Sequence, residues 1–70
     1  MSKFIIEITS VPDRENLVAE IWYDQNLIAE INQEKDDFEI DLYPYKKLTI
    51  GLQDLLNILE RAKKMLSGLD

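Results

Sequence analysis

The stretch LVAEIWYDQNLIAEINQ, residues 17–33, decides the fold, because one alternating pattern stands on both sides of a short polar segment. The inward residues are apolar at every second position, Leu17, Ala19, Ile21 and Tyr23 in the segment 17–23 and Leu27, Ala29 and Ile31 in the segment 27–33, which is the period of a strand with one buried face. Both segments contain the pattern Leu-x-Ala-Glu-Ile, so both offer the same side chains to one core. The pattern predicts a hairpin of two antiparallel strands.

Two further strands and a helix are predicted around this hairpin. Residues 3–9 (KFIIEIT) and 38–43 (FEIDLY) alternate in the same way, and Pro44 is expected to end the fourth strand because proline cannot donate to a ladder. From residue 52 to about 67 the apolar residues follow the 3.6-residue period of a helix. The chain is therefore predicted to be one α+β domain, residues 1–70: a four-stranded antiparallel β-meander with one C-terminal helix packed on one face.

The sequence also predicts how the helix is capped and how wide its apolar face is. Thr49 or Gly51 is placed to cap its start, Asp54 falls in its first turn, and Gly68 stands where a left-handed residue commonly ends a helix. Its apolar arc spans about half of the circumference, more than one sheet face covers. The surplus is expected either to tuck under the loop at residues 10–16 or to remain as an exposed contact strip.

The alternation also predicts the pairing of the strands. Aligned inward side chains require Tyr23 opposite Leu27 and Ile21 opposite Ala29, which leaves a three-residue loop with Asn26 available for the left-handed position. By the same reasoning Ala29 faces Leu42, and the next loop covers residues 34–37.

This register predicts three outward rows across the second, third and fourth strands. They are Val18, Asn32 and Glu39; then Glu20, Glu30 and Asp41; then Trp22, Ile28 and Tyr43. If the first strand pairs with the second, Ile5 is expected to join the acidic row and Lys3 the aromatic row.

Two of these rows depart from ordinary surface composition. Facing carboxylates repel each other across strands, and exposed aromatic residues are typical of interface hot spots. We therefore predict a partner-binding face formed by Trp22, Ile28, Tyr43, Glu20, Glu30 and Asp41. Two alternatives remain open: a small packed cluster beside ordinary solvated acids, or a weak Mg²⁺ or Ca²⁺ site on the three carboxylates.

The composition excludes most catalytic chemistry. The chain has no histidine and no cysteine, only two glycines, and no serine in a nucleophile-elbow pattern. The usual zinc sites, imidazole bases, thiolate nucleophiles and glycine-rich phosphate loops are thus ruled out. Paired carboxylates would need a cleft that 70 residues leave little room to build. We expect neither an enzyme nor a cofactor or metal site.

Charge indicates the kind of partner. The net charge is −6, and residues 1–45 contain eleven acidic against three basic residues. Such a surface repels nucleic acid and attracts a basic protein, although the charge also serves solubility. The N-terminal residues show neither a signal peptide nor a membrane span, so a cytoplasmic protein without a membrane partner is expected.

Residues 17–43 (LVAEIWYDQNLIAEINQEKDDFEIDLY) followed by 58–66 (ILERAKKML) resemble small acidic ββββα bacterial proteins of the polymorphic-toxin immunity type. The resemblance implies a stoichiometric protein inhibitor without catalytic residues, and it assigns no individual functional residue.

Two functions follow as hypotheses. The first is a binding module that inhibits or neutralises a basic protein, as immunity and antitoxin-like proteins do. The alternative is a homo-oligomerising accessory or structural subunit without an inhibitory role. A homodimer is expected at high concentration, through the edge of the first strand or through the surplus apolar flank of the helix. The first strand is the more exposed edge because the opposite edge is guarded by four carboxylates, Asp36, Asp37, Glu39 and Asp41.

Overall fold

The computed structural model describes residues 3–43 and 46–68. Its elements are β1 (Phe4–Thr9), β2 (Val18–Tyr23), β3 (Asn26–Asn32), β4 (Glu39–Leu42) and α1 (Leu52–Ser67). The strands form one antiparallel sheet in the order β1-β2-β3-β4, with α1 packed on one face. The predicted ββββα fold is confirmed, and each element begins and ends within one residue of its expected bounds. Pro44 lies outside the described residues.

The core lies between the inward face of the two central strands and one stripe of α1. Its buried members are Ala19, Ile21, Ala29 and Ile31 on the sheet and Ile58, Ala62 and Leu66 on the helix. The helical members are spaced four residues apart, so they line one face of α1. The helix lies mainly over β2 and β1. As a result Ile40 and Leu42, the inward residues of β4, remain exposed.

The β2–β3 hairpin differs from the prediction in its turn. Ile21 does face Ala29, but Tyr23 faces Asn26, so the loop is only Asp24-Gln25. Both turn residues have positive φ, 49° and 71°, as a type I′ turn requires. The three-residue loop and the left-handed Asn26 were therefore wrong. A two-residue turn of this type matches the twist of the flanking strands. The pairs next to the turn are shifted by one residue from the pairs beyond Ile21 and Ala29, and a β-bulge accommodates this shift.

The bulge moves one residue out of its predicted row. The pairing steps from Ile21 opposite Ala29 to Trp22 opposite Leu27, which leaves Ile28 as the extra residue of β3. Ile28 packs against the core, whereas Leu27 takes the position across from Trp22. Directly opposite residues share a face of the sheet. The outward row is thus Trp22 with Leu27, and the placement of Ile28 in it was wrong.

The pairing of β1 is shifted by two residues from the expected one. Glu7 faces Glu20 and Ile5 faces Trp22. The acidic row therefore gains Glu7, and Ile5 joins the aromatic row instead of the acidic one. A shift of two residues keeps every side chain on its own face, so the alternating pattern could not distinguish the two registers.

The loop between β1 and β2 lies over part of the outward face. Val18 and Asn32, expected to be exposed, are 0% and 1% accessible, whereas Leu17, expected inward, is 43% exposed. The Glu34 carboxylate accepts hydrogen bonds from the backbone N–H groups of Glu15 and Asn16, at 2.8 and 3.0 Å. These two bonds hold the loop against the strands, and the predicted outward row of Val18 and Asn32 is consequently buried.

The helix ends follow the sequence only in part. Gly51 is the N-cap residue, without a side-chain hydrogen bond, and Asp54 lies in the first turn. Gly68 has φ −74° and ψ −3° and donates its N–H to the Lys64 carbonyl at 2.9 Å. The expected left-handed conformation of Gly68 was therefore wrong, because this residue continues the helical hydrogen bonding. No helix among the described residues is long and apolar enough to cross a membrane.

Candidate functional site: the outward face of the sheet

An acidic row crosses all four strands on the face away from α1. Glu7 faces Glu20, Glu20 faces Glu30, and Glu30 faces Asp41. Three of these residues were predicted as site residues, and Glu7 was missed. The row brings four like charges into cross-strand contact, which is unfavourable without a counterion.

Arg14 supplies that counterion to one half of the row. Its Nε donates to Glu30 Oε2 at 3.2 Å, and its Nη2 donates to Asp41 Oδ2. Desolvation acts to lower the pKa of Arg14, but the hydrogen bond to Glu30 and the charges of Asp41 and Glu30 outweigh it and raise this pKa. Glu30 and Asp41 are therefore held together by a cation from the β1–β2 loop.

Glu30 is the most enclosed carboxylate of the row. Only 5% of it is accessible, and besides Arg14 it accepts a hydrogen bond from the Tyr43 hydroxyl at 3.4 Å to Oε1. Desolvation and the neighbouring charge of Glu30 raise the pKa of Tyr43 above its ordinary value. The predicted site residues Glu30, Asp41 and Tyr43 thus form an internal network with Arg14.

Glu34 fixes the loop from which Arg14 extends. The two backbone N–H donors of Glu15 and Asn16 stabilise the charged carboxylate and lower the pKa of Glu34. Sequence reasoning missed both Arg14 and Glu34. The available signal was a single arginine in a short loop that leads into a strand of the acidic row.

The other half of the row has no such counterion in the part of the chain that the structure describes. Glu7 and Glu20 form no ion pair with any of the residues that the structure describes. The one described hydrogen bond to this pair comes from Trp22 Nε1, which donates to Glu20 Oε1 at 3.4 Å. The exposed Glu7 and the half-buried Glu20 therefore face each other beside the indole.

Apolar side chains border this open pair. Ile5, directly opposite Trp22, is 56% exposed, and Trp22 is half-buried. Together with Glu7 and Gln25 they line a shallow hollow of about 400 Å³. We call these four lining residues, together with Glu20, which lies directly opposite Glu7, the acid–indole hollow. Of the predicted site residues it contains Trp22 and Glu20.

The chemistry of the hollow suits a cation. Carboxylates accept hydrogen bonds from guanidinium or ammonium groups, and an indole face attracts the same groups. Among the described residues, no group of three acidic side chains is arranged to hold a metal ion.

Comparisons with protein-family models, with curated proteins and with solved structures found no match to this chain.

Proposed function

We propose that this protein is a binding module for a basic protein partner and acts as a stoichiometric inhibitor of the immunity or antitoxin-like kind. The observation that supports it is the contrast within the acidic row. Arg14 bridges Glu30 and Asp41, whereas the facing pair Glu7 and Glu20 has no cation among the described residues.

The Arg14 contacts support a basic side chain as the group that the open half would accept. One guanidinium bonds two carboxylates on neighbouring strands of the row. Glu7 and Glu20 are neighbours of the same kind, and an arginine or lysine from a partner would relieve their repulsion in the same way. Trp22 and Ile5 would cover the stem of that side chain, as aromatic and apolar residues do at interface hot spots.

Inhibition would result because the complex covers the basic surface of the partner. A basic protein that acts on an anionic substrate uses the same arginine and lysine side chains that this face would occupy. The net charge of −6 would also accelerate encounter at low salt. A one-to-one complex would then block the partner without any catalytic group on this chain.

The test compares baits that differ only at the hollow. The double variant Glu7→Gln and Glu20→Gln should lose partners that the wild-type protein retains from a bacterial lysate. The matched control is Glu15→Gln with Asp54→Asn, which removes the same charge from two exposed positions outside the row.

Each retained protein is then purified and titrated. We expect a basic protein, one-to-one stoichiometry, and a loss of at least about 2 kcal/mol of binding free energy for Trp22→Ala. Equal retention by the hollow variant and its control would contradict the proposal. So would a captured protein whose activity is unchanged at saturating inhibitor.

A second function, a homodimeric accessory subunit, is favoured by the charges on β1. If two copies paired through this edge with Ile5 opposite itself, Lys3 of each would face Glu7 of the other. Sedimentation up to millimolar concentration tests this, and Lys3→Glu should then abolish the dimer. A strict monomer at that concentration removes the accessory function and leaves the inhibitor.

A further inference from the structure

An apolar groove opens between β4 and α1, on the face opposite the acidic row. Phe38 and Ile40 line its sheet side, Leu56 and Leu59 line its helix side, and its volume is about 300 Å³. Two charged side chains also line it, Glu60 and Lys63, and the Lys63 ammonium lies 5.6 Å from the centre of the Phe38 ring. It exists because α1 lies mainly over β2 and β1 and leaves β4 uncovered. Leu42 and Leu52, 75% and 72% exposed, stand near the end of β4 and at the start of α1.

The free edge of β4 can be assigned from its pairing with β3. Tyr43 donates its N–H to the Ile28 carbonyl at 3.0 Å, so the backbone groups of every second residue before it, Asp41 and Glu39, also face β3. The N–H and C=O groups of Ile40 and Leu42 consequently point away from the sheet. An unpaired strand edge and an apolar groove thus lie side by side.

A second copy of this chain is a poor occupant of that edge. Two-fold pairing of β4 with itself must keep residues on their own faces, so only even register shifts are allowed. Each such register that pairs most of β4 sets Glu39 or Asp41 opposite a carboxylate of the other copy. Residues 34–43 carry five acidic residues and one lysine, which adds general repulsion.

We propose that the β4 edge and this groove bind an extended segment of a basic protein, which joins the sheet as a fifth strand. Lysine or arginine at alternate positions would face Glu39 and Asp41 on the outward side. Apolar residues between them would enter the groove against Ile40 and Leu56. Main-chain hydrogen bonds provide affinity in strand addition, and the alternate side chains provide specificity.

The local ion pairs leave room for such a partner. Lys35 lies 3.5 Å from Glu39, but both side chains are largely exposed and such a surface pair is weak. Asp41 stays half exposed in spite of its bond to Arg14. The inference extends the proposed function, since it concerns the same class of partner, but it rests on residues at the opposite edge of the sheet.

The test uses a synthetic peptide in which lysine and isoleucine alternate over six residues, with blocked termini. Amide hydrogen exchange is followed by NMR on the full chain. Binding should slow exchange at Ile40 and Leu42, while Glu39 and Asp41, already bonded to β3, change little. The same peptide with its isoleucine nitrogens methylated keeps its charge but cannot complete the ladder, and it should not protect either amide.

Variants on the two flanks of α1 locate the peptide. Leu56→Lys should weaken binding at least about tenfold, because a charge would enter the apolar groove. Met65→Lys, a matched change at an exposed residue on the other flank, should leave binding unchanged. Circular dichroism confirms that both variants fold.

Three results would overturn the inference. The first is unchanged exchange at Ile40 and Leu42 in the presence of saturating peptide. The second is an equal loss of binding in the two helix variants. The third is a dimer in sedimentation that Leu56→Lys dissociates, which would make a second copy the occupant. The Glu7→Gln and Glu20→Gln double variant distinguishes the two sites. It should bind the peptide as tightly as the wild-type protein does, whether or not the acid–indole hollow has a partner.

Discussion

Replacing Val18 by alanine tests whether the β1–β2 loop truly covers the outward face. Val18 lies on that face and is fully buried, although its neighbour Leu17 is 43% exposed. Alternation alone predicts the reverse: alanine at residue 17 would lower the free energy of unfolding strongly, and alanine at residue 18 would lower it little. The two substitutions therefore distinguish the covered face from an open one.

The expected magnitude follows from the buried volume that is removed. Val18→Ala deletes the equivalent of two methylene groups, worth about 1.6 kcal/mol at about 0.8 kcal/mol each. Incomplete collapse of the cavity adds a few tenths, so the free energy of unfolding should fall by about 2 kcal/mol. In a domain of this size that corresponds to a melting temperature lower by roughly 10 °C. Leu17→Ala should cost less than about 1 kcal/mol.

Urea unfolding followed by the fluorescence of Trp22 and by circular dichroism measures these differences. Ile5→Ala, at an exposed strand position, is the control for the lower strand propensity of alanine, and we expect it to cost less than about 1 kcal/mol. A Val18→Ala loss no larger than that of Leu17→Ala would refute the reasoning. The loop would then not lie on the sheet, and Arg14 would not reach Glu30 and Asp41.

Three further predictions concern the turn, the loop and the ion pair. Gln25→Gly should stabilise the domain by about 1 kcal/mol in thermal or urea unfolding because it relieves a positive φ, whereas Asn26→Gly should not stabilise it. Glu34 has a folded-state pKa lowered below its ordinary 4.5, so its contribution to stability is present above that pH and is lost as the pH falls through the lower value. Melting curves of Glu34→Gln and wild type should accordingly converge in acid, and a constant difference would contradict the role of Glu34. Arg14→Ala should lower the melting temperature because it leaves the buried Glu30 carboxylate without its cation, and adding Glu30→Gln should restore part of the loss. If the effects of the two substitutions on the free energy of unfolding simply add in this double-mutant cycle, the pair is not coupled.

The elements of the fold could be predicted because each depends on local periodicity. The alternation of residues 17–33 and the 3.6-residue spacing after residue 52 are properties of short windows, and all five elements match them within one residue. The inward side chains Ala19, Ile21, Ala29 and Ile31 followed from the same alternation and do form the core. Local sequence was sufficient for the side chains of the two central strands that meet the helix.

The candidate site could be predicted only in part, because it depends on register and on loop placement. Glu20, Glu30 and Asp41 do share a row, since their relative register is unaffected by the bulge at Ile28. The bulge arises from a turn whose two positive φ angles are carried by Asp24 and Gln25. Neither residue has the freedom of glycine, so no local signal marked a two-residue turn.

The sequence by itself determined the order of the elements, the side chains that β2 and β3 turn toward the helix, and the acidic character of the outward surface. Only the tertiary structure decided which half of the acidic row is neutralised. That choice depends on the β1–β2 loop lying across the sheet and bringing Arg14 to Glu30 and Asp41, 16 and 27 residues along the chain. Periodicity reports on neighbours within a few residues, whereas a charge pair across such a distance forms only after the strands have taken their register. The open pair Glu7 and Glu20 is the part of the row that this loop does not reach.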